Sequence, residues 1–210
     1  MNINPKTSDG TSTDKNKTLS TLSKDILHSL PQLFIIEEIL RKYPTSYYES
    51  MNTVLVQELM RYNTLIKTIQ LSLLDLNAAL DGQKVMTAEL EKLGESLLNN
   101  CLPSIWADKS YPCLKPLMSY IFKDLQKRID MFKEWINNGI PIVFWVSGFF
   151  FTQCFFTGVL QNYARKTTIP IDKLTFDYLV IDQKQEFQAP PSKGCYIEGL
   201  FMEGLLLFSY

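Results

Sequence analysis

Apolar residues recur along residues 55–80 at alternating steps of four and three: Leu55, Leu59, Tyr62, Ile66, Ile69, Leu73, Leu76 and Leu80. Positions so spaced share one face of a helix, and the run predicts a helix of roughly thirty residues. Gly82 is placed to end it in the left-handed conformation that glycine adopts cheaply. Val54, Leu65 and Leu74 widen the stripe, which favours packing in a helical domain over a narrow coiled-coil seam. Upstream, residues 23–44 break into short amphipathic pieces, interrupted at Pro31 and closed by Pro44. Downstream, the Thr87 hydroxyl can cap a second helix running to about Asn99, with Glu89 and Glu91 suiting its positive end. Residues 101–116 carry three prolines and read as an ordered loop anchored by Trp106 and Tyr111. A third helix over about 115–138 presents Leu117, Ile121, Leu125, Ile129, Phe132 and Ile136 on one face and stops at Gly139. A short buried strand over 141–149 and a fourth helix over 151–166 follow. That helix closes on Arg165 and Lys166, where cations suit the dipole.

After Ile169 and Pro170 the pattern changes. Residues 173–182 and 195–204 have strand composition and flank a polar loop with Pro190 and Pro191. Two strands with no visible partners make an incomplete sheet. At the other end, residues 1–26 are rich in Ser, Thr, Asn and Lys and read as a disordered leader without the apolar core of a secretory signal.

Between Glu134 and Arg165 the sequence is without charge. Length alone permits residues 140–160 to span a bilayer. Pro141, Gly148, Gly158 and the amides Asn137, Asn138, Gln153, Gln161 and Asn162 argue against a span, as do aromatics in the middle rather than at the ends. A buried strand leading into a buried helix is the preferred reading.

Composition narrows function chiefly by exclusion. The 210 residues are 46% apolar and 20% charged, an ordinary globular balance. With 21 Lys and Arg against 22 Asp and Glu, the net charge of −1 argues against nucleic acid as the main partner. Cys101, Cys113, Cys154 and Cys195 are scattered without a C-x-x-C pair and read as free thiols, not as zinc ligands. No P-loop, dinucleotide-binding glycine motif or nucleophile elbow occurs. Asp182, ending the string YLVID, superficially suggests a magnesium-binding acid, but no phosphate loop accompanies it. His28 has no paired acid beside it, and Glu37, Glu38, Asp172 and Asp177 show no convergent spacing. Arg165 and Lys166 could touch phosphate, although a helix end explains them more simply. Trp145 and Phe149–Phe151 could line a cofactor pocket, although an aromatic core needs no cofactor. The expectation is no catalytic, cofactor-binding or metal residue.

Several uncommon strings occur in order: ESMNTVLVQELMRYN (49–63), SLLDLNAALDG (72–82), SYPCLKPLMSYIFKDLQKRI (110–129), FWVSGFFFTQCFFTGVLQNYARK (144–166), IPIDKLTFDYLV (169–180) and CYIEGLFMEG (195–204). Together they resemble the C-terminal region of dynein heavy chains, most of all the axonemal branch, over about residues 27–204. The 144–166 string is the most specific. The resemblance implies a mainly α fold with a small β part, in which a helical portion (27–170) precedes the start of an incomplete β-barrel (171–204). It implies a non-catalytic, structural role in a minus-end-directed microtubule motor of the cilium axoneme, packed against the motor's ring of six AAA+ modules. Implied partners are that ring and the dynein intermediate and light intermediate chains. Implied location is the cytoplasmic cytoskeleton and axoneme, and ATP belongs only to the ring. After Gly204 the family pattern continues with an Ala-Arg-Trp-Asp stretch, whereas residues 205–210 here diverge, which reads as a truncated product. Two rival readings stand beside this one: a helical interaction protein binding through the 55–80 stripe, and a single-span membrane protein using 140–160.

Overall fold

The computed structural model describes residues 9–181 and 187–199, with side chains described from Asp14 onward. The protein divides into two compact units, one of residues 1–33 and 62–126, the other of residues 34–61 and 127–210. The long helix foreseen from the stripe is α3 (Ser50–Leu80), which supplies Ser50–Arg61 to one unit and Tyr62–Leu80 to the other.

The first unit is helical. Its first element is α1 (Asp9–Ser29), so positions 9–26 of the expected disordered leader are helical, while residues 1–8 lie outside the described residues. Leu19, Ser23 and Ile26, spaced by four and three, are all buried. One narrow edge therefore docks a helix that is otherwise mostly polar, and average composition hides such an edge. A Cβ on Gly94 would lie 2.9 Å from Leu19 Cδ2, so the absence of a side chain there lets α1 approach α4 (Ala88–Leu98). The Thr87 Oγ1 accepts from Leu90 N at 3.3 Å, as a capping hydroxyl should. Within this unit Tyr62, Leu65, Ile66, Ile69, Leu73 and Leu76 are all at most 1% exposed, whereas Leu74 faces solvent. Gly82 has φ +75° at the end of α3.

Both loop anchors are inside: Trp106, on the one-turn helix α5 (Ser104–Ala107), is fully buried, and its Nε1 donates to Ser72 Oγ at 2.8 Å. The Tyr111 ring lies 6.2 Å from Tyr62 and 5.4 Å from Tyr120. The helix expected over 115–138 comprises α6 (Leu117–Ser119), a π-helical turn (Tyr120–Leu125) and α7 (Gln126–Asn138). Asn100, with φ 54°, takes Leu117 N on its carbonyl at 3.1 Å and Met118 N on Oδ1 at 3.0 Å, satisfying the start of α6. On the π-helical turn, Tyr120 OH pairs with Ser110 Oγ at 2.6 Å and Asp124 is held by Lys115.

The second unit holds α2 (Ile36–Lys42), the start of α3, α7 from Lys127, β1 (Val143–Trp145), α8 (Thr152–Thr167) and β2 (Tyr196–Glu198). Its core is aromatic. Phe144 and Phe149 stand 4.8 Å and 4.9 Å from Phe155, and Trp135 meets Phe144 edge-on at 5.5 Å. Strands β1 and β2 pair in parallel, Phe144 opposite Ile197, with α8 in the connection that a parallel pair requires. The strand expected over 195–204 is thus seen at Tyr196–Glu198, and the positions from 200 onward lie outside the described residues. The strand expected over 173–182 joins no ladder among the described residues: residues 174–181 have no regular secondary structure, Phe176 packs on Phe156 at 5.1 Å, and Asp182 lies outside the described residues. The fold is therefore mainly helical, with two short parallel strands. The uncharged stretch spans β1, a 3-10 turn (Val146–Gly148) and most of α8, and no helix among the described residues is long and apolar enough to cross a membrane.

Candidate functional site

The two strings 49–63 and 144–166 converge within the second unit through polar side chains. Glu58 lies on the buried arc of α3, three residues past Leu55, with its side chain 0% exposed. Its Oε2 accepts Phe150 N at 2.6 Å, and its Oε1 accepts Phe151 N at 3.2 Å and Arg61 Nη1 at 2.8 Å. These backbone N–H groups lie just before α8, and the carboxylate gives them charge-assisted acceptors where the chain enters the helix. Burial raises the Glu58 carboxyl above its ordinary value, against the Phe150 N–H, the Arg61 charge and the Phe151 N–H, which lower it. Arg61 also lies 5.6 Å from the centre of the Phe151 ring.

A second network closes the N-terminus of α3. Asn162 Oδ1, from α8, accepts Ser50 N at 2.8 Å, and Glu49 Oε1 accepts Met51 N at 3.0 Å. Asn162 Nδ2 donates to the same Glu49 oxygen at 2.5 Å. Ser50 Oγ donates to Gln161 Oε1 at 2.7 Å and accepts from Arg165 Nη1 at 2.6 Å. Arg165 also sits 4.2 Å from the centre of the Tyr47 ring. An orphan helix start is thus capped by side chains from a distant helix. A Cβ on Gly158 would lie 3.0 Å from Val54, so α8 approaches α3 closely along the same seam. Chemically this arrangement holds two helices together.

The residues singled out from sequence are not brought to one place. His28 is in the last turn of α1, Glu37 and Glu38 are exposed in the first turn of α2, and Asp172 and Asp177 are exposed on the segment after α8. Asp182 lies outside the described residues. Arg165 lies with Lys166 in the last turn of α8, as expected of helix-end cations, and in addition donates to Ser50 Oγ. Phe149 is core, whereas Trp145 is half-buried beneath Lys127, whose Nζ stands 4.1 Å from the ring centre. All four cysteines are free, and burial pushes the Cys195 thiol up to about 11. Among the described residues no three His, Cys, Asp or Glu side chains cluster as metal ligands would. Sequence reasoning passed over Glu58 and Asn162. A charged residue at position 58 within the Val54–Leu55–Leu59–Tyr62 arc was the available signal for the first. Nothing local marked Asn162, because its partner is 112 residues away.

The profile of the C-terminal domain of dynein heavy chains matches residues 1–206. The protein belongs to this family. The match takes in α1 as well as the region from residue 27 on which the resemblance rested. This dynein domain is 50% identical over 200 residues to mouse (Mus musculus) dynein axonemal heavy chain 3, covering 95% of its own length but 5% of that protein. It is 51% identical over 195 residues to human (Homo sapiens) dynein axonemal heavy chain 12, covering 93% of its own length and 6% of that protein. With rat (Rattus norvegicus) dynein axonemal heavy chain 1 the identity is 48% over 205 residues, covering 97% and 4% respectively. The domain therefore spans about one-twentieth of the length of these relatives.

Proposed function

We propose that the protein acts as the non-catalytic C-terminal segment of an axonemal dynein heavy chain, a structural part of a minus-end-directed microtubule motor in the cilium axoneme. Its partners in this reading are the AAA+ ring of a heavy chain, with intermediate and light intermediate chains further out. In this reading the helices from α1 to α8 are the helical portion, and Tyr196–Glu198 belongs to the small β part. ATP is handled by the ring. The observation that carries the reading is the use made of the motif residues. Glu49, Ser50, Glu58, Gln161, Asn162 and Arg165 come from the strings that carry the family resemblance, and all are engaged in bonds that join the α3 and α8 regions. Residues kept for architecture in this way suit a scaffold segment.

The rival reading of a helical binder working through the 55–80 stripe loses its basis, since seven of the eight stripe residues, Leu55 to Leu76, are at most 1% exposed within the folded protein. The test is to express an axonemal heavy chain ending before its own C-terminal domain and supply this protein, tagged, in trans. Co-elution with the ring is expected. Failure to co-elute, when the heavy chain's own domain supplied the same way does so, would overturn the proposal.

A further inference from the structure

We propose that residues 187–199 of the second unit form a strap that opens without unfolding of the helices, latched at its C-terminal end by the contact of Gly199 with Trp145. This goes beyond the scaffold reading and does not rest on it. The strap spans space more than it packs. Its residues Pro190, Pro191 and Cys195 line a groove of about 420 Å³, together with Pro141 and Phe144 before α8 and Val159 on it. Side chains that border an unfilled space forgo the contacts that would hold them down. Among the described residues, positions 187–194 make no hydrogen bond to the rest of the unit. The ring contact of Phe187, on Tyr196 at 3.8 Å, stays within the strap and moves with it.

The fastening is concentrated at one end. Tyr196–Glu198 pairs with Val143–Trp145 in parallel over three residues, and a two-stranded pairing of that length has little stability alone. Gly199 follows, so close to Trp145 that a Cβ there would lie 2.7 Å from the ring Cδ1. Ser147 Oγ donates to the Gly199 carbonyl, and Arg128 Nη1 donates to the Ser147 carbonyl in turn. Two glycines in the left-handed region bracket the strand, Gly194 at φ +73° and Gly199 at φ +72°. Around Gly194 nothing lies within 4 Å of where a Cβ would stand. Such positions absorb backbone rotation at little cost and suit a hinge. Release uncovers the groove and the β1 backbone that β2 occupies. It also bares Cys195, whose thiol burial holds at about 11, so alkylation through the thiolate reads the open state.

The experiment is amide hydrogen exchange with mass spectrometry on the full-length protein at low urea, paired with pulsed alkylation of Cys195 by N-ethylmaleimide. In the wild-type protein the amides of Tyr196–Glu198 are expected to be protected, yet roughly a hundredfold less than those in the middle of α8. Their exchange should not change with low urea, since local opening exposes little surface. Gly199→Ala should lower that protection about tenfold, through the clash with Trp145 and the cost of a left-handed alanine. Alkylation of Cys195 should rise by a similar factor, with α8 unaffected. Protection of Tyr196–Glu198 equal to that of α8, with the same urea dependence, would overturn the proposal, and so would no protection at all. An unchanged strap in Gly199→Ala refutes the latch. A variant that loses its helical circular dichroism shows the strap to be part of the helical core and refutes it as well.

Discussion

Glu58 is a carboxylate set into the apolar arc of a helix and surrounded by donors, and its proton affinity records which influence prevails. Burial is the largest, so its carboxyl lies above the ordinary 4.5 despite two backbone N–H groups and Arg61. A folded value above the unfolded one means that the folded protein holds this proton more tightly than the unfolded one does. The stabilisation that follows is fully present below about 4.5 and is lost as pH rises through the folded value. Glu58→Gln keeps an acceptor for Phe150 and cannot ionise. Measured by urea denaturation at stepped pH, the wild-type protein should lose stability relative to the Gln variant as pH climbs from 4.5 towards neutrality. A difference moving the opposite way would show that Arg61 and the two N–H groups outweigh burial. Arg165 carries the same lesson at the other end of the seam. Its position in the final turn of α8 suits the helix dipole, and the same side chain also reaches a hydroxyl on another helix, which the sequence did not announce.

At the scale of elements, the stripe on α3 makes the plainest prediction. Ile69 is 0% exposed. Ile69→Asp buries an unpaired charge and should cost roughly 4 kcal/mol or more, enough to unfold a marginal domain. Circular dichroism should show lost helix together with aggregation or expansion in sedimentation. A folded monomer in place of a native dimer would instead make the stripe an oligomer seam. Most helices were legible because periodicity and end signals agreed: Thr87 caps α4, Gly139 with φ +95° follows α7, and Gly82 ends α3. The misses have separate causes. α1 docks by a few positions that composition averages away. The π-helical turn at Tyr120–Leu125, whose Tyr120 and Asp124 pair with Ser110 and Lys115, is a change of winding that apolar periodicity does not register. The 174–181 segment has strand composition, but a ladder also needs a neighbour, and no propensity supplies one.

For the whole molecule, the polar seam was legible only as motif strings, because the bonds that join its two sides span more than ninety residues of sequence. Those strings led to the family and not to the geometry. The sequence has no phosphate-cradling loop, so titration with MgATP in a calorimeter should give no binding isotherm, and stoichiometric binding would contradict the scaffold role. A further expectation concerns association. Leu179 and Val180 are 85% and 82% exposed on a stretch of strand composition that joins no ladder among the described residues, beside Tyr178 at 42%. Strand-competent backbone with apolar side chains and few charges is a template for pairing with another copy. A net charge of −1 offers little repulsion to oppose it. The average mass in sedimentation equilibrium should therefore rise with concentration. Leu179→Glu with Val180→Glu should suppress that rise while leaving the helical circular dichroism unchanged, because both positions face solvent. A wild-type protein that stays monomeric at high concentration, with amides protected from exchange across 174–181, would show that the segment is covered from within the same molecule.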